Sequence, residues 1–263
     1  MSATAEIRVV HDRQELAEEA AELFAWLGSQ AIGAGGPFRV ALAGGSTPKG
    51  LYTALTEPRF SKELSWSNVE FYFGDERCVP PDHPESNFGM ANTTLFRPLG
   101  IDPARIVRME GEDPDAERAA QRYDASIRKR CSVQPPAWPR FDLVLLGLGE
   151  DGHTASLFPG SPALDEQACV AVASEAPRGV TRRLTLTAAA INQGRTVIFL
   201  VSGAEKAGAV RAVLEHPAPS AQTDKKFPAR LIRPVDGRLI WFLDRAAARE
   251  LPLARQGINS HEE

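Results

Sequence analysis

Phe141–Gly149 reads FDLVLLGLG, a short apolar run that breaks off into glycines. Its apolar side chains occupy consecutive positions. Both faces of the strand it predicts must therefore be covered, as in a parallel sheet between helices. The same pattern recurs along the chain. IRVV (Ile7–Val10), FRVALAGG (Phe38–Gly45) and NVEFYFGD (Asn68–Asp75) read as earlier strands. CVAV (Cys169–Val172), RLTLT (Arg183–Thr187), TVIFLV (Thr196–Val201) and RLIWFL (Arg238–Leu243) read as later ones.

Helical patterns fall between these runs. Asp12 and Glu15 form a D-x-x-E capping box, followed by Leu16, Ala20, Leu23, Phe24 and Leu27 at helical spacing. Gly33, Gly35 and Gly36 end that helix. Thr47 as N-cap with Pro48 at the first helical position opens a short helix to Leu55. Asp113–Pro114 opens another, carrying Ala116, Ala120, Tyr123 and Ile127, and Ala204–Leu214 is a further one. Strands alternating with helices predict an α/β fold: one domain, a mostly parallel sheet, helices on both faces. The 263 residues suffice for that core. The boundaries expected are 1–250 for the domain and 251–263 for a polar tail.

Composition excludes several classes. The longest unbroken apolar run, glycine aside, is six residues, Ala168–Ala173, against roughly 20 for a bilayer span. MSATAEIRVV lacks the basic-then-apolar order of a signal peptide. Cys78, Cys131 and Cys169 are odd in number and show no CxxC spacing. Neither a disulfide framework nor a structural zinc site is expected, and a reducing cytoplasm is. A net charge of -4 offers nucleic acid no general attraction, and no membrane partner is expected. The oligomeric state is not legible, with a monomer as the working expectation.

In such folds ligands sit beyond the carboxyl ends of the strands, so the loops after the strands carry the chemistry. Gly44-Gly45-Ser46-Thr47 places two glycines and two hydroxyls at a helix N-terminus, where free amides and the dipole favour an anion. It reads equally as a phosphate cradle or as a tight turn with a cap. Gly147-Leu148-Gly149-Glu150-Asp151-Gly152 matches G-x-G-x-x-G. Pro159, Gly160 and Pro162, however, leave no room for the long helix of a dinucleotide site. Its glycines instead shape a loop that presents Asp151 and His153. A carboxylate two residues from an imidazole can orient it and stabilise its protonated form, as a general base requires. With no third His or Cys nearby, a metal site there is not expected. The other histidines (His11, His83, His216, His261) read as solvated or capping. Asp75-Glu76-Arg77 places two carboxylates and a guanidinium at a strand end, which is also what a solvated charged turn looks like. Lys206, in the first turn of its helix, opposes the dipole unless an anion joins it. No G-x-S-x-G is present, so water is a better nucleophile candidate than serine.

Together ALAGGSTPKGLY, FYFGDERCVPPDHPESNF, FDLVLLGLGEDGHTASLFPGS and VSGAEKA resemble the 6-phosphogluconolactonase family, from about residue 7 to about 245. The wider superfamily includes the glucosamine-6-phosphate isomerase/deaminases. There the Asp-Gly-His segment continues into Phe-Asn-Glu-Pro with a working glutamate. Leu157-Phe158-Pro159-Gly160 has no carboxylate, which favours the lactonase branch.

The resemblance implies a Rossmann-like sheet and a carboxylic ester hydrolase without metal or cofactor. Its substrate would be a small sugar-phosphate lactone, opened as in the second step of the oxidative pentose phosphate pathway. It puts the catalytic histidine on His153, with Asp151 beside it, and the substrate-facing arginine on Arg77. The phosphate site falls on Gly45, Ser46, Thr47, Lys206 and one of Arg182 or Arg183. Gly44, Asp75, Asn87 and Gly149 complete the expected pocket. The rival readings are the deaminase and a sugar-phosphate-binding regulator without turnover.

Overall fold

The computed structural model describes residues 5–215 and 221–252. His216, His261 and nearly all of the expected tail lie outside them.

Six parallel strands form the main sheet, in the order β1-β9-β8-β5-β2-β3. They are β1 (Glu6–Val10), β2 (Phe38–Leu42), β3 (Val69–Phe73), β5 (Leu143–Leu146), β8 (Thr196–Val201) and β9 (Arg238–Asp244). β3, β5 and β8 are buried along their whole length, as strands of a parallel sheet covered on both faces are. Helices pack around the sheet: α1 (Arg13–Gly33), α2 (Ser46–Leu55), α3 (Ala116–Cys131) and α4 (Ala207–Leu214) among them. Phe199 and Trp241 stack at 3.9 Å across neighbouring strands of the core. Among the described residues no helix is long and apolar enough to cross a membrane.

From β2 the chain moves outward to β3, whereas from β5 it moves the other way to β8. The loops leaving β2 and β5 therefore diverge and open a crevice at their carboxyl ends. Two tyrosines fix the exits of β2 and β3. Tyr52 donates to the Ala43 carbonyl (2.7 Å) and accepts from its amide (3.0 Å). Tyr123 does the same for Phe73, at 2.9 and 2.7 Å.

A second sheet was not expected. β4 (Asp75–Arg77), β7 (Arg182–Leu186) and β6 (Ala171–Glu175) run antiparallel, in the order β4-β7-β6. The single strand read over Asn68–Asp75 is thus two, split at Gly74. The Gly74 amide donates to Leu42 in the main sheet and its carbonyl accepts from Leu186 in the small one, each at 2.8 Å.

Several boundaries also shift. α2 is capped by Gly45, not Thr47, because Gly45 adopts φ 98°, which a side chain would strain. α3 starts at Ala116, since the Asp115 carboxylate accepts from the Arg118 amide (3.1 Å) and makes Asp115 the cap. The helix read from Ala204 opens with a 3-10 turn, Ala204–Lys206, before α4. β6 lies two residues beyond the expected Cys169 start.

Candidate active site

The loops after β2, β5 and β8 meet the ends of β4 and β7 around a cavity of about 710 Å³. Every residue expected in the site lines it except Arg182.

At one end stands α2. Its cap offers no side-chain hydrogen bond, so the amides of its first turn remain free to receive an anion. Ser46 and Thr47 occupy that turn. The Thr47 hydroxyl is held 2.8 Å from Ser202 Oγ, which also accepts from Arg13 Nε (3.0 Å). Gly203, at φ 105°, turns the chain after β8. Its amide donates to both oxygens of Asp244 (3.1 and 3.0 Å). This anchors the turn that carries Lys206, for which there is no ion-pair partner among the described residues. Gly44 keeps the cradle open toward Asn87: a Cβ there would lie 2.0 Å from Asn87 Oδ1.

The β5 loop supplies the pair Asp151 and His153. Asp151 Oδ1 lies 2.6 Å from His153 Nδ1 and also accepts from the His153 amide at 3.1 Å. With Nδ1–H directed at the carboxylate, Nε2 keeps its lone pair. Both side chains are part-exposed, 31% for His153 and 43% for Asp151. Burial pushes the Asp151 carboxyl up, but the His153 amide and imidazole outweigh it and hold the group below the ordinary carboxylate range. Gly149 is required here. A Cβ on it would fall 2.0 Å from His153 Nδ1 and 2.7 Å from Asp151 Oδ1. Gly152 takes φ 79°, and a Cβ on it would meet Phe227 at 2.8 Å. The imidazole rests on Phe158, with centroids 4.5 Å apart.

The small sheet supplies the arginines. Arg77 and Arg183 face each other across β4 and β7. Arg77 Nη1 donates to the Glu85 carbonyl (2.6 Å). Arg183 is 8% exposed, and its Nε and Nη1 have no partner. Burial, then the neighbouring Arg77, pushes its pKa down. Side chains alternate along a strand, so Arg182 points away. It donates to the Pro114 carbonyl (2.6 Å) and lines a separate cavity. Of Arg182 and Arg183, it is Arg183 that lines the cavity, beside Arg77.

Of the two neighbouring carboxylates, Asp75 lines the cavity, accepting from Ser156 Oγ (2.7 Å) and Asn87 Nδ2 (3.1 Å). Glu76 is buried beneath it. It accepts from the amides of Arg77, Asn87 and Phe88 (2.8, 2.7 and 2.8 Å) and from Ser86 Oγ (3.1 Å). Burial raises its pKa against those amides. Its role is to tie the loop 78–86 back to β4.

Sequence reading missed Ser202, Ser156, Phe158 as a ring support, and Arg178, which lines the cavity from the loop after β6. Ser202 directly follows a strand and was findable on that ground. Among the described residues no three His, Cys, Asp or Glu side chains cluster as a metal site would need.

The family described as glucosamine-6-phosphate isomerases/6-phosphogluconolactonase matches residues 11–241. A 6-phosphogluconolactonase of Synechocystis sp. is 39% identical over 249 residues, covering 94% of this chain and 98% of that protein. One of Homo sapiens is 38% identical over 251 residues, covering 93% of each. The structure of a 6-phosphogluconolactonase from Trypanosoma cruzi superposes with a TM-score of 0.83 at 31% identity, covering 96% of this chain and 98% of that one. With its site loops gathered at one crevice and these relatives matching almost end to end, the chain belongs to the glucosamine-6-phosphate isomerase/6-phosphogluconolactonase family.

Proposed function

We propose that this protein hydrolyses 6-phospho-D-glucono-1,5-lactone to 6-phospho-D-gluconate, the second step of the oxidative pentose phosphate pathway. The observation that carries the reading is the Asp151–His153 contact at 2.6 Å inside the cavity. The relatives named 6-phosphogluconolactonase support it across almost their whole lengths.

The substrate's phosphate docks on the free amides of α2, the Ser46 and Thr47 hydroxyls, and Lys206. His153 Nε2 takes a proton from water while the water oxygen attacks C1. Arg77, with nearby amides, stabilises the oxyanion that develops on the former carbonyl. Collapse of the tetrahedral intermediate breaks the bond from C1 to the ring oxygen, and protonated His153 delivers its proton to that oxygen. Asp151 holds the imidazole in register and stabilises its cationic form. Each such proton transfer contributes about 10²–10⁴ in rate.

The segment after His153 supports the lactonase over the deaminase. Phe158, against the imidazole, stands in a stretch without a carboxylate, so no second acid–base group serves a sugar ring there. Three free cysteines suit a reducing cytoplasm.

The test is acid release from freshly generated lactone, followed with and without protein. Acid release well above the spontaneous rate is expected. Ammonia from glucosamine 6-phosphate, with no acceleration on the lactone, would overturn the reading.

A further inference from the structure

Arg13 is the first residue of α1, just past the carboxyl end of β1. A cation there opposes the helix dipole, so α1 gains nothing from it. The side chain serves another part of the molecule. Its Nε donates to Ser202 Oγ at 3.0 Å, across 189 positions of sequence. Arg13 has no ion-pair partner among the described residues. The carboxylates beside it are engaged locally. Asp12 accepts from the Gln14 and Glu15 amides and lies 3.1 Å from His11 Nδ1, and Glu15 accepts from the His11 amide.

Ser202 and Thr47 both line the cavity, are 3% and 9% exposed, and hold their hydroxyl oxygens 2.8 Å apart. Each hydroxyl has one hydrogen and two lone pairs, whereas a guanidinium can only donate. Ser202 Oγ therefore accepts from Arg13. The positive charge on that side turns the Ser202 O–H dipole away from it, toward Thr47 Oγ1, and strengthens it as a donor. Thr47 then accepts, and its own hydrogen has no protein acceptor among the described residues. In the opposite order the Ser202 hydrogen would be the one without an acceptor, on a buried residue beside a cation, which is the costlier arrangement. The chain of donors thus ends on Thr47, at the cavity wall. A group with acceptors only, such as a dianionic phosphate, completes it.

We propose that Arg13 is a positioning residue which, through Ser202, makes the Thr47 hydroxyl a donor to the phosphate of the bound sugar. This rests on the reading of the α2 cradle as a phosphate site. Arg13 itself does not line the cavity. Its effect reaches the ligand through two hydroxyls and falls on binding, not on the chemistry at C1.

A double-mutant cycle tests the relay, with 6-phosphogluconate binding followed by calorimetric titration. Arg13→Met, a change at an exposed residue, is expected to weaken binding about three- to tenfold and to keep kcat on the lactone. In a Thr47→Val background the same change should cost less than about twofold, because the hydroxyl it acts on is gone. Ser202→Ala removes the middle of the relay, and it should silence Arg13→Met in the same way if the valine variant does not fold. An equal loss from Arg13→Met with and without the Thr47 hydroxyl would overturn the proposal and make Arg13 a distant charge. So would no loss at all. Wild-type protein that bound no 6-phosphogluconate would overturn the relay and the phosphate cradle together. Coupling without lactone turnover would sink the hydrolase reading and leave the relay standing. Turnover without coupling would do the reverse.

Discussion

His153 depends on two neighbours, a carboxylate and a missing side chain. Asp151 orients the ring, and Gly149 leaves the space in which the two can meet. Gly149→Ala brings a methyl to 2.0 Å from Nδ1 and must push the pair apart. Lactone turnover should fall by about 10²–10⁴, with the circular dichroism spectrum unchanged; turnover at the wild-type rate would mean that the contact is dispensable. Lys206 has a different part. On the proposed function its contact is to the phosphate, remote from C1, so ground state and transition state lose it together. Lys206→Ala should raise KM by about one to two decades, as loss of a charge-assisted hydrogen bond of about 1.5–3 kcal/mol requires, and keep kcat. Steady-state kinetics check this, and a fall in kcat at constant KM would put Lys206 at the reacting carbonyl.

Among the elements, the β2–α2 junction does two jobs with one glycine. Gly45 at φ 98° both ends the strand exit and starts the helix, which aims the first-turn amides at the cavity. Gly45→Ala should cost about 1–2 kcal/mol in the unfolding free energy and weaken phosphate-bearing ligands. Denaturant melts with and without 6-phosphogluconate measure both effects, and an unchanged midpoint would remove the strain. The main strands were legible because unbroken apolar runs such as LVLL (Leu143–Leu146) can only be buried on both faces. The break at Gly74 was not, since nothing in Gly-Asp-Glu-Arg says that its amide and its carbonyl serve different sheets. Nor could Arg182 and Arg183 be told apart: alternation was visible in RLTLT, but the face that looks into the cavity is set by pairing with β4. The helix cap was misplaced for a similar reason. Thr47-Pro48 is a good opening locally, and Gly45 outcompetes it because only glycine tolerates the turn.

At the scale of the whole molecule, two sheets with different pairing converge on one crevice, and the charged groups there tie stability to pH. Asp151 has its pKa lowered by the fold. It therefore contributes stability above the ordinary aspartate value of about 3.9, and that contribution is lost as the pH falls through the lower folded value. The Tm difference between wild type and Asp151→Asn should be largest above pH ~4 and vanish in stronger acid. A difference constant across the series would show that the carboxylate's ionisation is not involved. On the proposed function, phosphate cradle, imidazole and arginines act on one bound sugar, with His153 moving the proton. The decisive comparison is acid release from fresh 6-phosphogluconolactone by wild type and by His153→Ala, both checked for intact fold. Wild-type protein should accelerate ring opening, and the alanine variant should leave only the spontaneous rate. Acceleration retained by the variant would contradict a general base at His153.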